Sequence, residues 1–114
     1  MTLDTFLAPI FERKAESVTA IDVRDLTSYA DTIVIVEGTS RRQVTSLAEH
    51  IVKSLKGSKV SPLGMEGIKE GEWALLDYGD TIIHVFESQA REFFNLEGLW
   101  DDAPRIDLSG YETE

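Results

Sequence analysis

Six residues, Thr32-Ile-Val-Ile-Val-Glu37, constrain this chain more than any other stretch. Four consecutive β-branched aliphatic residues between polar ends suit a strand, and because no polar residue alternates with them, both faces of that strand must be buried. Such a strand belongs at the centre of a sheet with further structure layered on each side. The next segment supplies one layer. Val44, Leu47, Ala48, Ile51, Val52 and Leu55 recur at helical spacing, Ser40 is placed to cap the helix with Gln43 three residues on, and Gly57 follows its end.

The remaining elements are read around this strand and helix. Leu3, Phe6, Leu7, Ile10 and Phe11 fall on one helical face, with Pro9 disturbing the start of a helix expected to run to about Ser17. Ala20 to Leu26 alternates apolar with charged residues, as a half-exposed strand does. Lys59 to Gly71 is irregular, punctuated by Pro62, Gly64, Gly67 and Gly71, with at most a short edge strand near Val60 or Leu63. Trp73–Asp77 and Thr81–Phe86 read as a hairpin closed by Tyr78-Gly79-Asp80. Ser88 is placed to cap a last helix carrying Ala90, Phe93, Phe94 and Leu96. The expected fold class is α/β (α+β), a mixed β-sheet flanked by helices in the order α-β-β-α-(β)-β-β-α. With 114 residues, one domain over 1–104 is expected, followed by an acidic, mobile tail over 105–114, tethered at most near Pro104 to Leu108.

Composition removes several function classes. There is no cysteine, so disulfides, thiolate metal sites and cysteine nucleophiles are excluded. No apolar run is long enough for a membrane span, and the N-terminal residues lack a secretory pattern, so a cytoplasmic setting without membrane contact is expected. The net charge is -10. Residues 1–57 carry seven basic and eight acidic side chains, against four and thirteen in 58–114. Acidity concentrated in the second half repels phosphate backbones and suits a basic protein surface, although solubility alone also explains it.

Candidate chemistry is sparse. Gly38-Thr39-Ser40, between a buried strand and a helix start, could offer free N–H groups to an anion, with Arg41 and Arg42 beside it; the plainer reading is a helix cap. Two arginines in a first turn oppose the helix dipole, which a partner contact would explain. A nucleotidyltransferase needs paired carboxylates for Mg²⁺, and Asp77 and Asp80 sit across a turn without the necessary Asp-x-Asp spacing. His84 and His50 have no spacing for a zinc triad, so no metal or cofactor is expected. Trp73 and Tyr78 lie on a hairpin among Glu66, Glu70, Glu72, Asp77 and Asp80, the composition of a protein-binding surface; Trp73 could equally be core, whereas Tyr78, on a turn, is expected to be exposed.

Six stretches taken together carry a more specific signal: Thr27-Ser-Tyr-Ala-Asp31, Gly38-Thr-Ser-Arg-Arg-Gln-Val44, Pro62-Leu-Gly-Met-Glu-Gly67, Trp73-Ala-Leu-Leu-Asp-Tyr-Gly-Asp80, Ile83-His-Val-Phe86 and Arg91-Glu-Phe-Phe-Asn-Leu-Glu-Gly-Leu-Trp100. In this order the chain resembles the ribosomal silencing factor family, also called RsfS or Iojap-like.

That resemblance implies a nucleotidyltransferase-like fold without catalytic carboxylates and a non-enzymatic role. It implies binding to the large ribosomal subunit through its basic protein fourteen, with little nucleic-acid contact, which blocks small-subunit joining and represses translation under nutrient limitation. Carried over by motif, the partner-binding surface includes Trp73 as anchor, Tyr78 and Gly79 shaping the turn, and Asp77 and Asp80 as acceptors for Lys or Arg. Met65, Glu66 and Arg42 flank it. The free protein could pair with its own copy through the same aromatic patch. The alternative is a nucleotide-binding or nucleotidyltransferase-like protein using Gly38 to Arg42.

Overall fold

The structure, a computed structural model, describes residues 3–111, apart from the side chains of residues 96 and 97. Helix α1 (Leu3–Phe11) leads to strand β1 (Ser17–Asp22), β2 (Thr32–Gly38), helix α2 (Arg41–Gly57), β3 (Gly64–Glu66), β4 (Trp73–Asp77), β5 (Thr81–Glu87), helix α3 (Ser88–Phe94) and a 3₁₀ turn (Leu96–Trp100). The strands form one sheet in the order β1-β2-β5-β4-β3. β2 and β5 run parallel, and every other neighbouring pair is antiparallel. A parallel pair needs a long crossover, and α2 begins it. This is the expected mixed sheet flanked by helices, with the β-branched run on an inner strand beside β5.

Alternation divides the sheet into two faces. Ala20, Val34, Val36, Ala74, Leu76, Ile83 and Val85 point to one side, where Phe6, Leu7 and Ile10 of α1 and Val44, Leu47, Ala48, Ile51 and Leu55 of α2 close over them. Burial of each large aliphatic side chain there contributes about 1.5–3 kcal/mol. Ile21, Ile33, Ile35, Ile82 and Phe86 point to the other side, where they meet Val23, Ala30, Ala90 and Ala103.

Several boundaries differ from the sequence expectation. Helix α1 stops at Phe11, short of Ser17, because the following residues leave the helical path: Lys14 O accepts from Gln43 Nε2 of α2 at 2.9 Å, and Glu16 N donates to Glu37 O of β2 at 2.8 Å, which brings the chain into the sheet. Pro9 lies inside the helix, where it leaves the carbonyl four residues back without its usual donor. β1 ends at Asp22 instead of Leu26. The alternation beyond it belongs to a turn, in which Val23 O accepts from Leu26 and Thr27, while the Arg24 side chain folds back onto Asp22 at 2.7 Å. The short edge strand lies one residue beyond Leu63, and α3 is capped by Glu87 instead of Ser88. Leu96, expected on the apolar side of α3, has its side chain outside the described residues.

The chain after Pro104 is more firmly attached than a mobile tail. Pro104 O accepts from Asp22 N, Ile106 N donates to Ala20 O, Leu108 is buried, and Tyr111 stacks on Phe11 at 5.3 Å while its hydroxyl meets Asp4. These contacts cover the outer edge of β1. Residues 112–114 of the expected tail lie outside the described residues.

Candidate functional site

Strand β4 places the predicted surface residues, and its alternation separates them. Trp73, Leu75 and Asp77 point to the α3 side; Ala74 and Leu76 point to the α1–α2 side, and Tyr78 follows them there. The Tyr78 ring packs on Phe6 at 5.3 Å, and its hydroxyl is buried without a hydrogen-bond partner. Burial pushes this phenol up to about 12. Tyr78 is therefore a half-buried packing residue beneath α1, where an exposed turn residue was expected.

Trp73 lies at the end of β4 away from the hairpin turn, directly opposite Phe86. Its indole stacks on Phe86 and meets Phe94, each with centroids 4.8 Å away. Its Nε1–H donates to His84 Nδ1 at 2.9 Å. His84 is buried, and desolvation lowers its pKa to about 4. The imidazole is thus neutral near pH 7, and the accepted bond assigns its proton to Nε2. Trp73 is half-buried: one side of the indole is held by Phe86, Phe94 and His84, while part of it remains at the surface. Burial and hydrogen bonding thus fix its rotamer before any partner arrives.

The hairpin turn is a separate feature. Asp77 lies four strand steps from Trp73, about 13 Å along β4. Its Oδ1 accepts from Gly79 N at 2.8 Å, and Gly79 has a positive φ of 89° that suits glycine. Asp80 has an exposed side chain, and its carbonyl accepts from the amides of Asp31 and Thr32. Along β3, Glu66 pairs with Leu75 and so shares the Trp73 side, whereas Met65 pairs with Leu76 and projects on the opposite side, half-exposed. Arg42 is exposed at the start of α2, without an ion pair among the described residues. Its neighbour Arg41 reaches Glu72 at 3.4 Å, which brings the helix start to the Trp73 end of β4. Trp73, Glu66 and Asp77 therefore share a face, while Met65, Tyr78 and Arg42 do not join them there.

The α2 N-terminus uses its own donors. Thr39 N donates to Gln43 Oε1 at 2.6 Å, and Gln43 N donates to Ser40 Oγ at 3.1 Å. This reciprocal cap takes up two amides that a phosphate cradle would present, and a Cβ on Gly38 would approach Val44 Cγ2 at 3.0 Å. Asp77 is engaged by its turn, and no group of three or more His, Cys, Asp or Glu able to hold a metal ion occurs among the described residues. No helix among those residues is long and apolar enough to cross a membrane.

Sequence reasoning missed the partners of Trp73. Counting pairs outward from the Tyr78–Thr81 closure sets Trp73 opposite Phe86 and Leu75 opposite His84, so the hairpin register was the available signal. Phe94 was assigned to a helix but not to this cluster, since its approach depends on how α3 returns over β5.

Comparison with known proteins identifies the family. A family described as "Ribosomal silencing factor during starvation" (RsfS) matches residues 2–114. The chain belongs to the RsfS family. Ribosomal silencing factor RsfS of Halalkalibacterium halodurans is 35% identical over 87% of this chain and 85% of its own length, and that of Bacillus subtilis is 37% identical over 85% and 82%. The chloroplastic protein Iojap of Zea mays is 29% identical over 85% of this chain and 42% of its own length. The family likeness extends to the fold. A crystal structure of a Chromobacterium violaceum protein superposes with a TM-score of 0.81 at 31% identity, covering 89% of this chain and 88% of that one. Another, from Bacillus halodurans, gives 0.82 at 30% identity over 93% and 96%. The RsfS relatives are named as silencing factors, which associates the family with the ribosome and the regulation of translation.

Proposed function

We propose that this protein is a non-enzymatic translation repressor of the cytoplasm that binds the large ribosomal subunit through its basic protein fourteen. Binding occludes the face at which the small subunit docks, and so lowers translation when nutrients are scarce. Family membership supports the ribosomal target, and the Trp73 face supports the mode of contact. A half-buried indole with a fixed rotamer and part of its surface still accessible is an anchor that loses little conformational entropy on binding. Glu66 on the same face and Asp80 at the turn are free of ion pairs among the described residues, so they are available to Lys or Arg of a partner. Occlusion requires affinity but no turnover, and an interface of roughly 1,600 Å² is the usual size for a stable contact.

Subunit mixing on a sucrose gradient tests this reading. The protein should comigrate with isolated large subunits and reduce joined ribosomes. Trp73→Ala should lose most of that effect, with circular dichroism showing that the variant remains folded. Normal joining at saturating wild-type protein would overturn the proposal.

A further inference from the structure

The sheet face that carries Trp73 continues onto α3, and this continuation was not part of the predicted surface. Phe86, Trp73, Phe94 and Phe93 form a chain of touching rings that runs from the buried sheet into solvent. Successive centroids lie 4.8, 4.8 and 5.1 Å apart, with the last pair edge to face at 88°. Phe93 at its outer end is 81% exposed, Phe94 is 42% exposed, and Leu99 on the following turn is 71% exposed. A phenylalanine in water is unremarkable by itself. Two adjacent ones braced by a stack on Trp73 form a prearranged apolar patch. Glu92 beside Phe93, and Asp101 and Asp102 after Leu99, are all exposed and have no ion pair among the described residues.

We infer that Phe93 and Phe94, flanked by Glu92, form a second contact module that receives a Lys- or Arg-bearing segment of a basic protein. Aromatic faces attract a cation and stack on a guanidinium, and the exposed Glu92 carboxylate one residue away in α3 adds opposite charge that favours a basic protein and disfavours a nucleic-acid backbone. This deepens the proposed function and rests on it: the patch adjoins Trp73 through Phe94, so one basic protein can span both.

The test is cosedimentation of full-length protein with salt-washed large subunits over a range of concentrations. Phe93→Ala should bind about tenfold more weakly, and Glu92→Lys should also weaken binding, by about threefold. Tyr29→Ala, which removes an exposed aromatic in the β1–β2 connection, should bind as wild type does. If wild type binds and Phe93→Ala binds equally well, this inference fails while the ribosomal reading stands; if wild type does not bind, both fail. Tighter binding by Glu92→Lys would indicate rRNA instead of a basic protein. Sedimentation equilibrium covers self-association: a wild-type dimer that Phe93→Ala dissociates, with ribosome binding unchanged, would make the patch a self-interface and overturn the inference.

Discussion

The two faces of the sheet are built by the same strands and finished differently. On the α1–α2 side, two amphipathic helices lay continuous apolar stripes over Ala20, Val34, Val36, Leu76, Ile83 and Val85, and the layer is closed. On the other side, the seven-residue α3 reaches β5 and β2 but leaves the β4 region with Trp73 and Leu75 only half-buried. Covering costs nothing extra on the first face, because burial there is the source of stability. Incomplete covering on the second leaves aromatic area that a partner can remove from water. The difference gives the first face mainly a packing role and leaves the second as the one on which the proposed recognition would act.

The largest expected effect tests the closed face. Ile51→Ala removes a fully buried side chain from α2 and should cost about 3–4 kcal/mol in urea unfolding. A loss below about 1 kcal/mol would mean that this layer is looser than its packing implies.

The next effect belongs to the open face and depends on pH. In the unfolded chain His84 takes up a proton near its ordinary value of 6.5, whereas in the folded protein burial delays protonation to about 4. The unfolded state therefore binds more protons between these values. Stability should fall as pH drops from about 6.5 to 4, by of order 3 kcal/mol, and this contribution should then level off. Urea titrations at several pH values measure the slope, which His84→Phe should flatten.

Trp73→Phe keeps a ring against Phe86 and Phe94 but removes the donor to His84. It should destabilise by about 1–2 kcal/mol, since a buried acceptor is left unpaired. An unchanged stability would mean that the bond serves orientation alone. The smallest effect returns to the closed face. Tyr78→Phe removes a buried hydroxyl that has no partner, so thermal unfolding should show no loss and at most a gain of about 1 kcal/mol.

Periodicity made much of this architecture legible. The β-branched run and the α2 stripe identified an inner strand and its covering helix because each signal is local and reinforced by burial. The Ser40–Gln43 cap was readable for the same reason. What escaped depended on contacts between distant segments. The alternating residues after Asp22 look like a strand until Pro104 O takes the Asp22 amide and the following residues turn back. Tyr78 looked exposed on a turn, but α1 lies over that end of β4, and helix docking is not encoded within the turn itself. Trp73 was identifiable as an anchor candidate from its acidic neighbourhood, but its distance from Asp77 follows from strand geometry that a linear list of residues conceals.

The bond between Trp73 and His84 has a practical consequence. An indole that is partly in water and tied to an imidazole emits light sensitive to both surroundings. Docking of a partner over it should shift its fluorescence to shorter wavelength, and protonation of the imidazole should quench it. Trp100 is the other emitter, so on a Trp100→Phe background the molecule carries a single optical reporter at the position where recognition is proposed, and occupancy can be followed without attaching a dye.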